Sequence, residues 1–242
     1  MRVLALDTTT RAGSVALVED EVIVDERRGD GTRTHAERLP RDIFTLLELH
    51  ALATADIDLF ALASGPGSFT GLRIGIATLQ GFAFVHRRQI AAVSALEALA
   101  HLASGDVAPG VLVAAWMDAQ RHDVFSALYR VAPFPLFDPR RLIEIDGPRV
   151  AAPGVTLEQW RQLAVEEPDV FIGDGAAGFA ATIGATYPDA RILAHPPLAG
   201  AVGRIGVAHA LTGRALQPAA VRPLYVRRPD AEVERERRQA VR

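Results

Sequence analysis

The chain has 242 residues, a formal net charge of -3 and 49% hydrophobic residues, enough apolar material for a large core and too much for a disordered chain. It has no cysteine, which excludes disulfides, thiolate nucleophiles and Cys-type zinc sites. Every basic side chain is arginine or histidine, with no lysine, which excludes a Schiff-base enzyme and a Walker-type phosphate loop, since both need the lysine amine.

Residues 2–7 read as a buried strand ending on Asp7. A turn over 8–13 leads to strands at 14–18 and 21–27, a hairpin meander. After a loop over 29–34 the period becomes helical, with Leu39, Ile43, Leu46, Leu47 and His50 on one face. Pro40 falls early in that helix, where proline is tolerated. A strand at 57–63 runs into Gly65-Pro66-Gly67-Ser68-Phe69-Thr70-Gly71, and a helix covers about 71–86. A short strand (90–93) and a helix (95–103) follow. Ser, Gly, Asp and Pro then cluster over 104–109, a break.

Beyond the break the pattern restarts. A strand over 111–117 again ends at an acid, Asp118, and a turn leads to a strand at 124–129. At an offset of 111 residues Asp7 meets Asp118, Ala16 meets Ala127 and Leu17 meets Leu128. This internal repeat predicts two lobes of related topology, 1–104 and 105–228. The second lobe continues with a Pro-rich loop, a helix over 156–164 capped by Thr156, and a strand over 170–172. That strand enters Gly173-Asp174-Gly175, with a helix after it. A small-residue helix over 199–212 ends at Gly213 and is free to pack back on the first lobe. Residues 229–242 form a charged tail rich in arginine.

Strand-Asp-turn-strand hairpins used twice are one way to grip a nucleotide: turn amides face phosphates and the Asp holds magnesium through water. The candidates are Asp7, Thr8 and Thr9 in the first turn, Asp118 in the second, and Gly173 and Gly175 before the later helix. Against this, an Asp closing a strand is ordinarily a turn former, and Asp174 would repel a phosphate. The Gly-rich segment from Gly65 to Gly75 offers an anion pocket at a helix N-terminus. Alternatively Gly71, Gly75 and Gly81 admit another backbone, because Leu72, Ile74, Ile76, Leu79, Phe82, Phe84 and Val85 spread over more than one helix face. No two histidines lie three or four residues apart, so no pair shares a helical face for a metal. The start lacks the apolar run of a signal peptide, and no stretch is long enough to span a bilayer. A cytoplasmic protein is expected.

These motifs together resemble the TsaB family. The carriers are Leu4-Ala5-Leu6-Asp7-Thr8-Thr9 with Gly13-Ser14-Val15-Ala16-Leu17, Thr34-His35-Ala36-Glu37-Arg38-Leu39-Pro40, Gly65 to Gly75, Asp118-Ala119-Gln120-Arg121, Gly173-Asp174-Gly175 and Arg222-Pro223-Leu224-Tyr225-Val226-Arg227. The resemblance implies an α/β, actin-like (ASKHA, ribonuclease H-like) fold of two lobes, each a mixed sheet with flanking helices. It also implies a non-catalytic subunit required for threonylcarbamoyl modification of the adenosine next to the tRNA anticodon. The expected partners are a TsaD-type catalytic subunit, as a heterodimer, and a TsaE-type ATPase. A homodimer in isolation and only indirect contact with tRNA complete the expectation. The catalytic relative carries a His-x-x-x-His metal pair, whereas His35 is followed four residues later by Leu39, so neither a metal nor a cofactor is expected. The partner interface is expected at His35, Leu39, Ile43, Leu46, Gly71, Leu72, Arg73, Gly75, Ile76 and Leu79, and Gly75→Trp is expected to block pairing with the fold intact. The competing reading is an actin-like ATPase, or a TsaD-like acyltransferase or peptidase, acting by itself.

Overall fold

The computed structural model describes residues 1–163 and 166–227; the expected charged tail over 229–242 lies outside the described residues. In chain order the elements are β1 (Arg2–Asp7), β2 (Ser14–Glu19), β3 (Val22–Arg28), α1 (His35–Leu49), β4 (Leu59–Gly65), α2 (Phe69–His86), β5 (Gln89–Ser94), α3 (Ala95–Ala103), β6 (Leu112–Asp118), β7 (Val124–Val131), β8 (Leu142–Ala151), α4 (Pro153–Gln162), β9 (Val170–Ile172), α5 (Asp174–Gly178), α6 (Ala180–Thr186), β10 (Arg191–Leu193) and α7 (Ala199–Leu211).

Two five-stranded sheets share one topology, β3-β2-β1-β4-β5 and β8-β7-β6-β9-β10. In each, the first three strands are antiparallel and the last two join in parallel. This duplicated mixed sheet is the actin-like, ribonuclease H-like arrangement. The repeat holds with one correction. Ala5 pairs with Ala16, and Ala115 with Ala127, so the second strands match at 111 residues but the first strands at 110. Between these partners the second hairpin carries one residue more than the first, and a one-residue slip changes the face of a strand. By alternation Asp7 shares the side of Val3 and Ala5, whereas Asp118 shares that of Ala114 and Trp116.

Those two sides differ in what covers them. Val3, Ala5, Val113 and Ala115 belong to one apolar cluster spanning both lobes. Outside the first sheet, Leu4, Leu6, Val15 and Leu17 pack with Leu39, Ile43 and Leu46 of α1 and Ile76 and Leu79 of α2. Outside the second, Trp116, Trp160 and Phe171 form an aromatic cluster with ring centroids 5.3 to 6.3 Å apart.

The central layer is built by exchange. Helix α3, from the first half of the sequence, packs on β6, β7 and β8 of the second sheet, while α7 from the second half packs on β1, β2, β4 and β5 of the first. Glycine makes the second contact close: a methyl on Gly203 would lie 2.6 Å from Val18, and one on Gly206 would lie 2.9 Å from Ala61. The α7 N-terminus is capped from the other lobe. Ser14 Oγ accepts from the amides of Leu198 (3.1 Å) and Ala199 (2.9 Å), and Glu26 accepts from that of Gly200 (2.8 Å). Burial pushes the Glu26 carboxyl above its ordinary value.

Several boundaries depart from the sequence expectation. Helix α2 begins at Phe69 because Ser68 caps it, accepting from the Gly71 amide at 3.2 Å. Helix α4 begins at Pro153, so Thr156 is an interior residue and its hydroxyl bonds back to the Ala152 carbonyl. The helix after Gly173 breaks at Phe179 into two short pieces. Strands β8 and β10 were not expected. Among the described residues no helix is long and apolar enough to cross a membrane.

Candidate functional site

The nucleotide candidates divide into two places. Asp7, Thr8 and Thr9 are buried. One Asp7 carboxylate oxygen accepts from the Thr9 amide (2.8 Å) and hydroxyl (2.6 Å), and the Thr9 carbonyl accepts from the Ser68 amide at 2.7 Å. A cis Gly65-Pro66 bond and a positive φ at Gly67 fold the Gly-rich loop onto this turn, where a methyl on Gly67 would lie 2.6 Å from Thr9. The amides of Thr9, Ser68, Gly71 and Leu72 all donate to protein oxygens. The loop is thus a lid on the first hairpin, and those donors are already spent.

Asp118, Gly175 and Asp174 come together elsewhere, with Gln120, Arg121, His122, Gly178 and Phe179 around a cavity of about 320 Å³. Asp118 accepts from the Gln120 amide and side-chain amide, both at 2.8 Å. Asp174 Oδ1 accepts from the Asp118 amide (3.0 Å) and the Gly175 amide (2.9 Å). A carboxylate therefore holds the strand-end amide that a phosphate would use. Gly173 has φ +118°, and a methyl there would lie 2.1 Å from the Trp116 carbonyl oxygen; one on Gly175 would lie 2.7 Å from Met117. Both glycines serve close packing on β6.

His35 is committed to structure. Its Nε2 lies 2.9 Å from the Thr10 carbonyl and its Nδ1 lies 3.0 Å from an Arg38 nitrogen. A carbonyl only accepts and a guanidinium only donates, so Nε2 carries the proton and Nδ1 receives the Arg38 bond. Burial, aided by the Arg38 charge, holds the imidazole below its ordinary pKa. Arg38 also bonds the Ala12 carbonyl and pairs with Asp42, tying α1 to the first turn. Among the described residues no three His, Cys, Asp or Glu side chains stand together to hold a metal.

Of the ten expected interface residues, only Arg73 is exposed; His35, Leu39, Ile43, Leu46, Gly71, Leu72, Gly75, Ile76 and Leu79 are buried in the chain's own core. A methyl on Gly75 would lie 2.4 Å from the Thr8 hydroxyl, while nothing stands within 4 Å of one on Gly81. Gly75→Trp therefore perturbs the fold itself. The outward stripe of α2 is Thr70, Arg73, Ala77, Gly81 and Phe84, with Val85 beside it. Phe84 is 79% exposed and Val85 71%. On α1 beside it, Phe44 meets Phe82 edge-on at 6.1 Å. The signal missed in the sequence is the spacing 70, 73, 77, 81, 84, a second stripe on the same helix.

At the start of that stripe lies an Arg-aromatic cluster. The Arg73 guanidinium sits 4.0 Å from the Phe69 ring centroid, Phe69 and Tyr225 stack at 5.2 Å, and Arg73 Nε donates to the Tyr225 hydroxyl at 3.0 Å. The segment 221–227 straps the two lobes. Leu224 donates its amide to the Ser64 carbonyl at 2.7 Å, and Arg227 donates to the Ala119 carbonyl at 2.7 Å and pairs with Asp123.

A family model described as TsaD, tRNA N6-adenosine threonylcarbamoyltransferase, matches residues 29–133. An uncharacterised protein of Mycobacterium tuberculosis is 31% identical over 232 residues, 95% of this chain and 93% of that protein. The Escherichia coli tRNA threonylcarbamoyladenosine biosynthesis protein TsaB is 37% identical over 131 residues, 54% of this chain and 55% of that protein. The solved structure of YeaZ from Pseudomonas aeruginosa matches at 26% identity with a TM-score of 0.72, covering 93% of this chain and 99% of that one. These relatives, with the match of the whole fold to a solved structure, show that the chain belongs to the TsaB family.

Proposed function

We propose that this chain acts in tRNA threonylcarbamoyladenosine biosynthesis as a non-catalytic subunit that pairs with a TsaD-type catalytic subunit. The observation that carries the pairing is the outer face of α2, where Phe84 and Val85 stand largely in solvent beside the open Gly81. Apolar side chains gathered on one helix face favour burial against a second surface. The small side chains of Ala77 and Gly81 let a partner helix approach closely. The buried residues of α1 and α2 set the shape of this face, and the exposed Arg73 reaches a partner directly. Asp174 on the Asp118 amide supports a subunit without its own phosphate chemistry.

On this reading a TsaE-type ATPase joins the assembly and tRNA is contacted through the catalytic subunit. The chain works in the cytoplasm, and the same face supports a homodimer when the chain is alone. The test is co-purification with the catalytic subunit, followed by a tRNA-modification assay with each component omitted. Gly81→Trp should abolish pairing and modification while the free chain keeps its melting temperature. Pairing of that variant at full affinity would overturn the assignment. Turnover by the chain alone would instead favour a self-sufficient ATPase or acyltransferase.

A further inference from the structure

Resting on the reading of α2 as the partner face, we infer that Tyr225 is a positioning residue that holds Arg73 ready for a carboxylate on the partner. Arg73 is an exposed cation. Other arginines of the chain meet acids, as in Arg2 with Glu19, Arg130 with Glu166 and Arg140 with Asp138. Arg73 pairs with no acid among the described residues; its contacts are the Tyr225 hydroxyl and the Phe69 ring. Among the described residues Arg73 uses only Nε as a hydrogen-bond donor, so the two terminal nitrogens form a fork that matches a carboxylate in a bidentate pair.

An exposed arginine left to itself samples many rotamers, and fixing it on binding costs affinity. Here the cost is met in advance. Tyr225 pins Nε and Phe69 supports the guanidinium plane, so the side chain is ordered before a partner arrives. Tyr225 is itself held on both sides, by the Leu224 amide on Ser64 and by Arg227 on Ala119 and Asp123, with Val221 buried upstream. The ordering of Arg73 thus comes from a segment about 150 residues away in sequence, one that also grips the second lobe.

The test measures affinity of the full chain for the TsaD-type subunit by calorimetry at low and high salt. The variants are Arg73→Ala, Tyr225→Phe, both together, and Gly81→Trp. Tyr225→Phe keeps the ring stack and removes only the hydroxyl. Arg73→Ala should weaken pairing about tenfold and flatten its salt dependence, as for loss of an interfacial charge pair. Tyr225→Phe should weaken it about threefold with the melting temperature of the free chain unchanged, and the double variant should be no weaker than Arg73→Ala alone. Multiplying losses, or a Tyr225→Phe variant that pairs like the parent when Arg73→Ala does not, would overturn the positioning role. An unchanged salt dependence in Arg73→Ala would overturn the carboxylate. If Arg73→Ala pairs normally while Gly81→Trp does not, the inference falls and the α2 face stands; if both pair normally, both fall.

Discussion

Ser14→Ala removes one hydroxyl at the join between the lobes, and its cost follows from the geometry. The Ser14 oxygen is the acceptor for the amides of Leu198 and Ala199 at the buried start of α7. Alanine leaves both donors without a partner, and each unsatisfied buried amide costs about 1–3 kcal/mol. Glu26, already on the Gly200 amide, can take up part of this, so the expected loss is about 3 kcal/mol. In a chain of this size that lowers the melting temperature by about 6–12 °C. The control is Thr34→Ala at the start of α1, where the Thr34 amide and hydroxyl bond Glu37 in solvent. Water replaces those bonds, and the loss should be about 1 kcal/mol or less. Differential scanning calorimetry of the two variants decides the matter. Equal shifts would refute the claim that burial, and not capping as such, sets the cost.

Three further outcomes are expected. Burial and the nearby Arg141, Arg204 and His209, opposed by Asp138, lower the His101 pKa from 6.5 to about 4. The unfolded chain then takes up the proton first as pH falls, so stability is complete above about pH 6.5 and declines toward pH 4 by roughly 3 kcal/mol; urea midpoints at pH 7.5 and 5 should differ, and less so in His101→Gln. Gly75→Ala should cost about 2 kcal/mol by its clash with Thr8, whereas Gly81→Ala should gain about 0.5–1 kcal/mol from lower backbone entropy in the unfolded chain; chemical unfolding of both separates the inward from the outward stripe of α2. Calorimetry of the isolated chain with magnesium-ATP should give no saturable heat; micromolar binding abolished by Asp7→Ala would refute the reading of the hairpins as filled.

Much of the fold is legible in the sequence because its central strands are buried on both sides. Runs such as Val3 to Leu6 and Leu112 to Met117 are continuously apolar, and a polar turn ends each. Strand β8 escapes this logic. It is half-exposed, carries Gly147 and Pro148 in its middle, and pairs with β7 through two register shifts, so neither alternation nor an apolar run marks it. Strand β10 has only three residues. The candidate site was legible as a segment but not as a surface. Helix α2 is apolar on more than one side, and periodicity cannot say which side meets the sheet. Gly71, Gly75 and Gly81 are alike in the sequence, yet contact with Thr8 turns the first two inward and leaves Gly81 outward with Phe84 and Arg73. The cation cluster at Tyr225 lies beyond any local pattern, since its two halves are separated by most of the chain.

The exchange of α3 and α7 also bears on how the protein is made. The inner face of the first sheet, with Ala5, Val18 and Ala61, is covered by a helix that begins only at Ala199. A nascent chain on the ribosome thus carries that apolar face uncovered until the great majority of its residues have emerged, and the first lobe cannot mature ahead of the second. Premature termination after the first lobe should leave an aggregation-prone stub and not a small working domain.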